Sequence, residues 1–258
     1  MADGQRWAVI LGASSGFGAE CAIALAQAGF DICGVHLDRK AGLAQVEEIK
    51  AKIAAAGRHA LYFNVNAADA EKRKEVADAL AAEGAQVHVL LHSLAFGTLK
   101  PFVGDDRVTE QQMDMTLAVM AHSLVYWTQE LVSRGLLQRG GRIFSMTSSG
   151  STRAITAYGA ISAAKCALES HTRQLAFELA PRGIAVNALR AGVTDTPALR
   201  KIPGNERILE GAAQRNPAKR LTVPADVAQA LVALCRPGAG WITGNVINVD
   251  GGEEISAG

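Results

Sequence analysis

A tyrosine and a lysine stand seven residues apart in the segment Tyr158-Gly-Ala-Ile-Ser-Ala-Ala-Lys165. On a helix, positions seven apart return to the same face. A lysine cation near a phenol lowers the phenol pKa, which suits the hydroxyl to stabilise charge on a reacting oxygen. In an arbitrary helix the two residues would simply be a surface pair, so a catalytic role depends on what else the chain carries.

A glycine-rich run, Gly12-Ala-Ser-Ser-Gly16-Phe-Gly18, follows the first apolar segment of the chain. Glycines there permit a tight turn, and the N-terminus of a following helix offers free N–H groups to a pyrophosphate. The spacing is Gly-x3-Gly-x-Gly and not the commoner Gly-x-Gly-x2-Gly, so a turn without a ligand stays open. In this strand–turn–helix context we predict dinucleotide contacts from Gly12, Ser14, Ser15, Gly16, Phe17 and Gly18.

The end of the second predicted strand should lie near the adenosine ribose of such a cofactor. Asp38 lies 20 residues after Gly18, where NAD-binding proteins place an acid, but it falls two residues past the strand end at His36. Arg39 and Lys40 follow, and they could hold a 2′-phosphate or form a solvated helix start. Because the strand end itself is the neutral His36, we favour NADP(H) over NAD(H), with His36 and Arg39 at the site.

Short apolar segments alternate with longer helical ones along the chain, which is typical of a parallel sheet covered on both faces. We predict strands at residues 7–11, 31–36, 60–63, 87–92, 142–147, 184–189 and 246–249. We predict helices at residues 16–28, 41–56, 68–83, 110–134, 157–180, 205–215 and 224–235. The pattern predicts one Rossmann-like, doubly wound α/β domain over residues 1–258, with a substrate loop at about 192–217.

Composition argues against several classes of partner. The net charge is +1 with no run of like charge, so we expect neither nucleic acid nor an anionic membrane as a partner. The four cysteines are scattered and no metal-ligand spacing occurs, so we expect no metal site and a reduced, cytoplasmic protein. The first residues do not resemble a signal peptide, and no apolar stretch approaches membrane-spanning length.

Taken together, these motifs resemble the short-chain dehydrogenase/reductase family over nearly the whole chain. The resemblance also includes Asn64-Val65, the run Arg182-Gly-Ile-Ala-Val-Asn187-Ala, and the run Gly244-Asn-Val-Ile-Asn-Val-Asp250-Gly-Gly. It implies further cofactor contacts from Asn64, Val65, Ser93, Lys165 and Thr194. It also implies a homotetramer paired through the helices predicted at 110–134 and 157–180.

Three departures from ordinary family members are similar to the enoyl-thioester reductase branch. Ordinary members carry Tyr-x3-Lys, whereas the residue four after Tyr158 is Ser162. The turn after the fourth strand reads His92-Ser-Leu-Ala-Phe96 in place of Asn-Asn-Ala-Gly, and the stretch 116–121 lacks the usual catalytic Asn. The resemblance, nearest to the Bacillus-type NADPH-using enoyl-ACP reductases, implies reduction of a trans-2-enoyl thioester on ACP or CoA, as in fatty acid synthesis.

Several residues receive roles from this resemblance. Tyr158 would stabilise the thioester oxygen while Lys165 binds the nicotinamide ribose. Ser145 lies 13 residues before Tyr158, where ordinary members keep a catalytic serine, although it could instead satisfy the strand backbone. Ser148 lies 10 residues before Tyr158, where many bacterial enoyl-ACP reductases have a second tyrosine, and is a candidate substrate contact. Phe96 and Ile161 are assigned to the substrate pocket, and either could equally be packing.

Two other functions stay open at this point. A 3-oxoacyl reductase, ketone reductase or alcohol dehydrogenase of the same family would explain a retained Ser145 and the missing second tyrosine. The spacing between Tyr158 and Lys165 opposes that alternative. A non-catalytic NAD(P)-sensing protein would need neither of these two residues, so their presence argues against a sensor.

Overall fold

Seven parallel strands form the sheet at the centre of the computed structural model, which describes residues 6–256. The strands are β1 (Arg6–Leu11), β2 (Asp31–His36), β3 (Ala60–Asn64), β4 (Gln86–His92), β5 (Leu137–Thr147), β6 (Ala185–Ala191) and β7 (Val246–Val249). Their order is β3-β2-β1-β4-β5-β6-β7, so the winding direction reverses between β1 and β4. This confirms the predicted Rossmann-like fold, and ligands of such folds bind at the carboxyl ends of the strands near the reversal. The absence of a signal peptide concerns residues 1–5, outside the described residues.

Helices cover both faces of the sheet. They are α1 (Gly16–Gln27), α2 (Leu43–Ala55), α3 (Ala70–Ala82), α4 (Glu110–Leu117), α5 (Ser123–Ser133), α6 (Gly159–Leu179), α7 (Asn205–Arg215) and α8 (Pro224–Leu234). Trp7, Val9 and Leu11 of β1 pack with α3, α5 and α6 on one face, while Ala8 and Ile10 pack with α1, α2 and α8 on the other. Because neighbouring strand residues point to opposite faces, a strand buried on both sides is apolar throughout. None of the helices within residues 6–256 has both the length and the apolar character needed to cross a bilayer.

The helix predicted over residues 110–134 is interrupted by a π-helical turn at Ala118–His122, which joins α4 to α5. A π turn places one extra residue in the helical repeat, and such turns are frequent at functional sites. It places Ser123 at the start of α5, where its hydroxyl donates to the Val119 carbonyl at 2.7 Å. Periodicity of apolar residues does not reveal such a turn, since the chain stays helical on both sides.

The helix predicted from residue 157 begins two residues later, at Gly159. Ala157 has a φ of +57°, and Tyr158 is the residue that precedes the first helical position, with φ −98° and ψ 1°. Tyr158 therefore lies at the entrance of α6 and does not share the regular helical face of Lys165. The same-face argument from the sequence was wrong for the tyrosine, because the left-handed turn at Ala157 interrupts the helix there.

The turn from β1 into α1 is held against the carboxyl end of β4 by direct backbone approach. A Cβ atom on Gly12 would lie 2.3 Å from the Ser93 carbonyl oxygen, and Gly12 has a φ of +89°. A Cβ atom on Gly18 would lie 2.1 Å from the Gly12 carbonyl oxygen. Both positions therefore require glycine for packing, whether or not a ligand is bound.

We predict that Gly12→Ala destabilises the protein far more than Gly57→Ala, measured by urea unfolding without cofactor. Both glycines have a positive φ, but a Cβ on Gly57 would meet nothing within 4 Å. The control should cost about 1–2 kcal/mol of unfolding free energy, for the backbone conformation alone. Gly12→Ala adds the clash with Ser93 and should exceed about 4 kcal/mol. Equal costs for the two variants would contradict the proposed packing of the turn.

Candidate active site

The start of α1 offers an anion-binding cradle at the carboxyl edge of the sheet. Ser15 is the N-cap of α1 and its side chain makes no capping hydrogen bond. The Ala19 N–H donates to the Ser15 carbonyl at 3.2 Å, which leaves the N–H groups before it free for a ligand. Gly16 has a φ of +54°, and a Cβ there would lie 3.7 Å from Cγ2 of Thr196. These residues fit a pyrophosphate, as do the half-buried Ser14 and Phe17 beside them.

Three residues form a closed hydrogen-bond set at the ends of β2 and β3. Nδ1 of the buried His36 lies 2.8 Å from Oδ2 of Asp38. The Asp38 N–H donates to Oδ1 of Asn64 at 2.9 Å, and Nδ2 of Asn64 donates back to the Asp38 carbonyl at 3.0 Å. Asn64 thus holds the segment after β2 in place, and the Asp38 carboxylate is already engaged. Arg39 is exposed, and no carboxylate within residues 6–256 forms an ion pair with it.

The remaining predicted cofactor residues border the same edge of the sheet. The Val65 N–H donates to the His36 carbonyl at 2.7 Å, and the Ser93 N–H donates to the Leu11 carbonyl at 2.9 Å. Thr194 is buried and its hydroxyl donates to the Gly192 carbonyl at 3.0 Å. Thr196, which the sequence analysis did not single out, is the residue whose side chain borders the glycine turn. Its position two residues after Thr194, in the same segment, was the available signal.

Tyr158 and Ser148 lie side by side above Gly150. A Cβ on Gly150 would be 2.5 Å from the Tyr158 ring and 3.2 Å from Oγ of Ser148. Burial raises the pKa of the Tyr158 hydroxyl, and the neighbouring Ser148 hydroxyl opposes the shift. The Ser148 hydroxyl is buried and has no hydrogen-bond partner among residues 6–256. Two neutral hydroxyl donors are therefore available at one place, which suits a ligand oxygen that gains negative charge.

Lys165 is buried between α6 and β5, with its Nζ donating to the Met146 carbonyl at 2.6 Å. Burial lowers its pKa to about 8, and the negative charge of Glu169, one helical turn further on, works against that shift. The ammonium group is held by backbone and not by the Tyr158 hydroxyl. Among residues 6–256, no group of three or more His, Cys, Asp or Glu side chains is placed to hold a metal ion.

Ser145 does not belong to the site. Its side chain is 1% exposed and lies 3.0 Å from Oγ1 of Thr172, which donates in turn to the Leu168 carbonyl at 2.9 Å. Because the Thr172 hydrogen is used there, Ser145 is the donor in their shared hydrogen bond. The serine fastens β5 to α6, so the assignment of a catalytic role to Ser145 was wrong. Counting the family offset back from Lys165, not from Tyr158, leads to Ser148.

His92 ends β4 as a buried, neutral imidazole. Its Nε2 lies 2.8 Å from Oγ of Ser123, whose own hydrogen goes to the Val119 carbonyl. His92 therefore donates from Nε2, and Nδ1 is a buried acceptor without a partner among residues 6–256. Burial and the nearby Lys165 cation lower the His92 pKa to about 3. The imidazole fixes the π turn to the sheet and adds no charge beside Lys165.

A cavity of about 430 Å³ lies next to Tyr158. It is lined by Lys100, Pro101, Phe102, Ala154, Ile155, Ala157, Tyr158, Gly159, Ser162 and Ala163. Phe96 and Ile161, which we assigned to the pocket, are not among these residues. Phe96 is 53% exposed, while Ile161 is 7% exposed and packs with Val119 and Met120. Ile161 is core because Gly97 lies directly on it, with room for no side chain between them.

Comparison with known proteins agrees with this fold and site. Residues 12–254 match the model of the family described as Enoyl-(Acyl carrier protein) reductase. The chain is 31% identical over 258 residues to the 1-cyclohexenylcarbonyl-CoA reductase of Streptomyces collinus, aligning 99% of this chain with 89% of that one. It is 27% identical over 247 residues to the 7alpha-hydroxysteroid dehydrogenase of Escherichia coli K12, aligning 96% with 93%.

A solved structure shows the same architecture at full length. The NADH enoyl-[acyl-carrier-protein] reductase of Aquifex aeolicus superimposes with a TM-score of 0.86 at 25% identity, covering 99% of this chain and 98% of that one. The chain therefore belongs to the short-chain dehydrogenase/reductase family, whose members are NAD(P)-dependent oxidoreductases.

We predict that wild type gains stability relative to Lys165→Met as the pH rises from about 8 to about 10.5. In the folded state Lys165 loses its proton near pH 8, whereas in the unfolded state it keeps the proton until about pH 10.5. The unfolded state thus binds more protons in this window, so stability rises with pH, by up to about 3 kcal/mol. Urea unfolding at intervals of pH measures the difference between the two proteins.

The matched control is Lys72→Met on the surface of α3. Glu75 raises the Lys72 pKa, so the gap between wild type and this variant should not grow over the same pH window. A gap for Lys165→Met that is constant from pH 7.5 to 10.5 would show that Lys165 keeps an ordinary pKa.

Proposed function

We propose that the protein is an NAD(P)H-dependent reductase of the C2=C3 double bond of a trans-2-enoyl thioester carried on ACP or CoA. The observation that carries this proposal is the pair of hydroxyls of Tyr158 and Ser148 beside the cavity, with Tyr158 at the entrance of α6. The intact Lys165 on the same helix supports an enzyme over a sensor.

Each part of the site has a role in this proposal. When bound, a reduced nicotinamide cofactor supplies the hydride. The free N–H groups at the start of α1, with Ser15 and Thr196, would hold its pyrophosphate. Lys165 would bind the nicotinamide ribose hydroxyls, exchanging its hydrogen bond to Met146 for them or sharing it. The protein then contributes orientation and electrostatics.

The position of Tyr158 suits a carbon–carbon double bond. Hydride reaches C3 of an enoyl thioester, two carbons from the carbonyl, whereas a ketone receives it at the carbon that bears the oxygen. The hydroxyl that stabilises the oxygen must then lie farther from the hydride path. Seven helical residues span about 10.5 Å along the axis and four span about 6 Å. Tyr158 at the entrance of α6 gives that greater separation from Lys165.

The hydroxyls would act on the thioester oxygen. Negative charge builds on this oxygen as hydride adds to C3, and hydroxyl donors fixed in advance stabilise that charge. The raised pKa of Tyr158 keeps its phenol protonated, so it can donate. Ser148 would supply the second hydrogen bond, which satisfies its buried hydroxyl. Protonation at C2 then completes the reduction.

The relatives support this substrate class without deciding it. The printed name of the Streptomyces collinus relative describes an unsaturated acyl-CoA reductase, and that of the Aquifex aeolicus structure an enoyl thioester reductase. The Escherichia coli relative, at similar coverage, is a hydroxysteroid dehydrogenase. A ketone reductase is therefore the second candidate, and Ser148 at the family offset from Lys165 favours it.

We expect Tyr158→Phe to lower kcat for NADPH oxidation with crotonyl-CoA by about 10²–10³-fold, because it removes one donor to the developing oxyanion. The assay follows absorbance at 340 nm, with acetoacetyl-CoA as the ketone in parallel. Tyr126→Phe is the matched control, because Tyr126 is partly exposed on α5 and lies outside the site, and its rates should equal those of wild type.

The two substrates separate the candidate functions. Turnover of crotonyl-CoA alone, lost in Tyr158→Phe, supports the proposal. Turnover of acetoacetyl-CoA alone would overturn it in favour of a ketone reductase. Cofactor binding without turnover of either thioester, on CoA or on ACP, would leave a sensor as the better account.

We further propose that NADPH is preferred to NADH. The Asp38 carboxylate, the group that would read a ribose 2′-hydroxyl, is already bonded to His36, while Arg39 next to it is exposed. A free guanidinium beside the ribose attracts a 2′-phosphate. The Aquifex aeolicus enzyme, by its printed name, uses NADH, so relatives do not decide the preference.

We predict that Arg39→Ser raises the KM for NADPH about tenfold or more and leaves the KM for NADH unchanged, because a hydrogen bond to a charged group contributes about 1.5–3 kcal/mol. Steady-state kinetics with both cofactors measures this. Arg236→Ser, at an exposed arginine after α8, should change neither value. Equal changes for NADPH and NADH would contradict a contact between Arg39 and the 2′-phosphate.

A further inference from the structure

The loop that carries Ser148 is tied to the rest of the protein through a buried polar network. Thr147 and Arg190 are neighbours across β5 and β6. The Thr147 hydroxyl donates to Oε1 of Glu169 at 2.6 Å, and the Arg190 guanidinium donates to the same oxygen at 3.3 Å. Glu169 lies one turn after Lys165 on α6, so the network begins directly behind the lysine.

Arg190 carries the network from α6 to the loop. The same guanidinium nitrogen also donates to Oγ of Ser151 at 3.2 Å. The Ser151 hydroxyl donates in turn to the Ser148 carbonyl at 3.0 Å. Because Ser148 flanks Gly150 together with Tyr158, the backbone that aims the Ser148 hydroxyl is held by this contact with Arg190.

The ion pair is an expensive way to join two elements. The side chains of Glu169 and Arg190 are only 11% and 13% exposed, and Nε of Arg190 is buried without a partner among residues 6–256. A buried ion pair seldom stabilises a fold more than apolar residues of the same size would. A role in placing the Ser148 loop accounts for a charged pair at this position better than stability does.

We propose that Arg190 and Glu169 are positioning residues that hold the Ser148 hydroxyl beside Tyr158. This inference rests on the proposed function for its effect on turnover. Its structural part, the docking of residues 148–151 on Arg190, stands independently. Glu169 anchors the guanidinium, Ser151 receives it, and neither Arg190 nor Glu169 touches the substrate.

Cys166 is a natural reporter of this docking. Its Sγ donates to the Ser151 carbonyl at 3.1 Å and its side chain is exposed. Cys21 and Cys33 are buried and Cys235 is partly buried, so an aromatic disulfide reagent should react first at Cys166. Release of Ser151 from Arg190 frees the thiol, and its reaction rate then reports the loop without any substrate.

The experiment compares the double variant Arg190→Met with Glu169→Gln, which leaves no unpaired buried charge, with wild type. We expect the Cys166 thiol to react about fivefold faster, as loss of about 1 kcal/mol of hydrogen bonding predicts. We expect kcat with crotonyl-CoA to fall about tenfold or more through misplacement of Ser148. The Kd for NADPH, from protein fluorescence, should stay within about twofold. Cys166→Ser identifies the thiol, and Arg134→Met, which removes an exposed ion pair with Asp78, should leave the thiol rate unchanged.

Arg190→Lys separates positioning from fold stability. A lysine keeps a positive charge beside Glu169 but is shorter and lacks the planar fork that reaches Ser151. We expect unfolding free energy near that of wild type, a fast Cys166 thiol and a low kcat. A wild-type kcat in Arg190→Lys, or a wild-type thiol rate in the double variant, overturns the inference. If wild type reduces no enoyl thioester, the proposed function fails, and the thiol rates alone decide whether Arg190 docks the loop.

Discussion

Burial of the Lys165 cation is the constraint on which the rest of the site depends. An ammonium group removed from water needs a fixed acceptor, and the Met146 carbonyl supplies one at 2.6 Å. The charges around it follow from the same need. Glu169 contributes the compensating negative charge, while His92 stays neutral because a second cation beside Lys165 would be repelled. The site thus combines one cation, one nearby anion and a neutral imidazole on a single sheet edge.

This arrangement fixes α6 more firmly than its two ends require. Ser145 binds Thr172, and Thr147 binds Glu169, so two β5 hydroxyls fasten the middle of the helix to the sheet. Neither hydroxyl is then available to a ligand. Chemistry is left to the residues beyond the end of β5, where Ser148 keeps a free hydroxyl, and to Tyr158 before the start of α6.

The sequence could predict the sheet but not the details that place the hydroxyls. Alternating apolar strands and helices with a glycine turn determine a doubly wound fold, since few other arrangements bury such strands. A family offset counted from Tyr158 led to Ser145, because the offset follows the lysine, which the sheet holds, and not the tyrosine. The π turn and the contact between Arg190 and Glu169 left no periodic signal, since both depend on side chains brought together only in three dimensions.

The separation between tyrosine and lysine can change only at the entrance of α6. Lys165, Glu169 and Thr172 each contact β5 or its neighbours, so a shift of the helix itself would break all three contacts. The left-handed turn at Ala157 instead lets Tyr158 stand before the helix while the lysine keeps its place. A strained residue of this kind persists only when its surroundings hold it. The cofactor side of the site is therefore rigid, and the reach toward the substrate oxygen is adjusted in the few residues between Ser148 and Gly159.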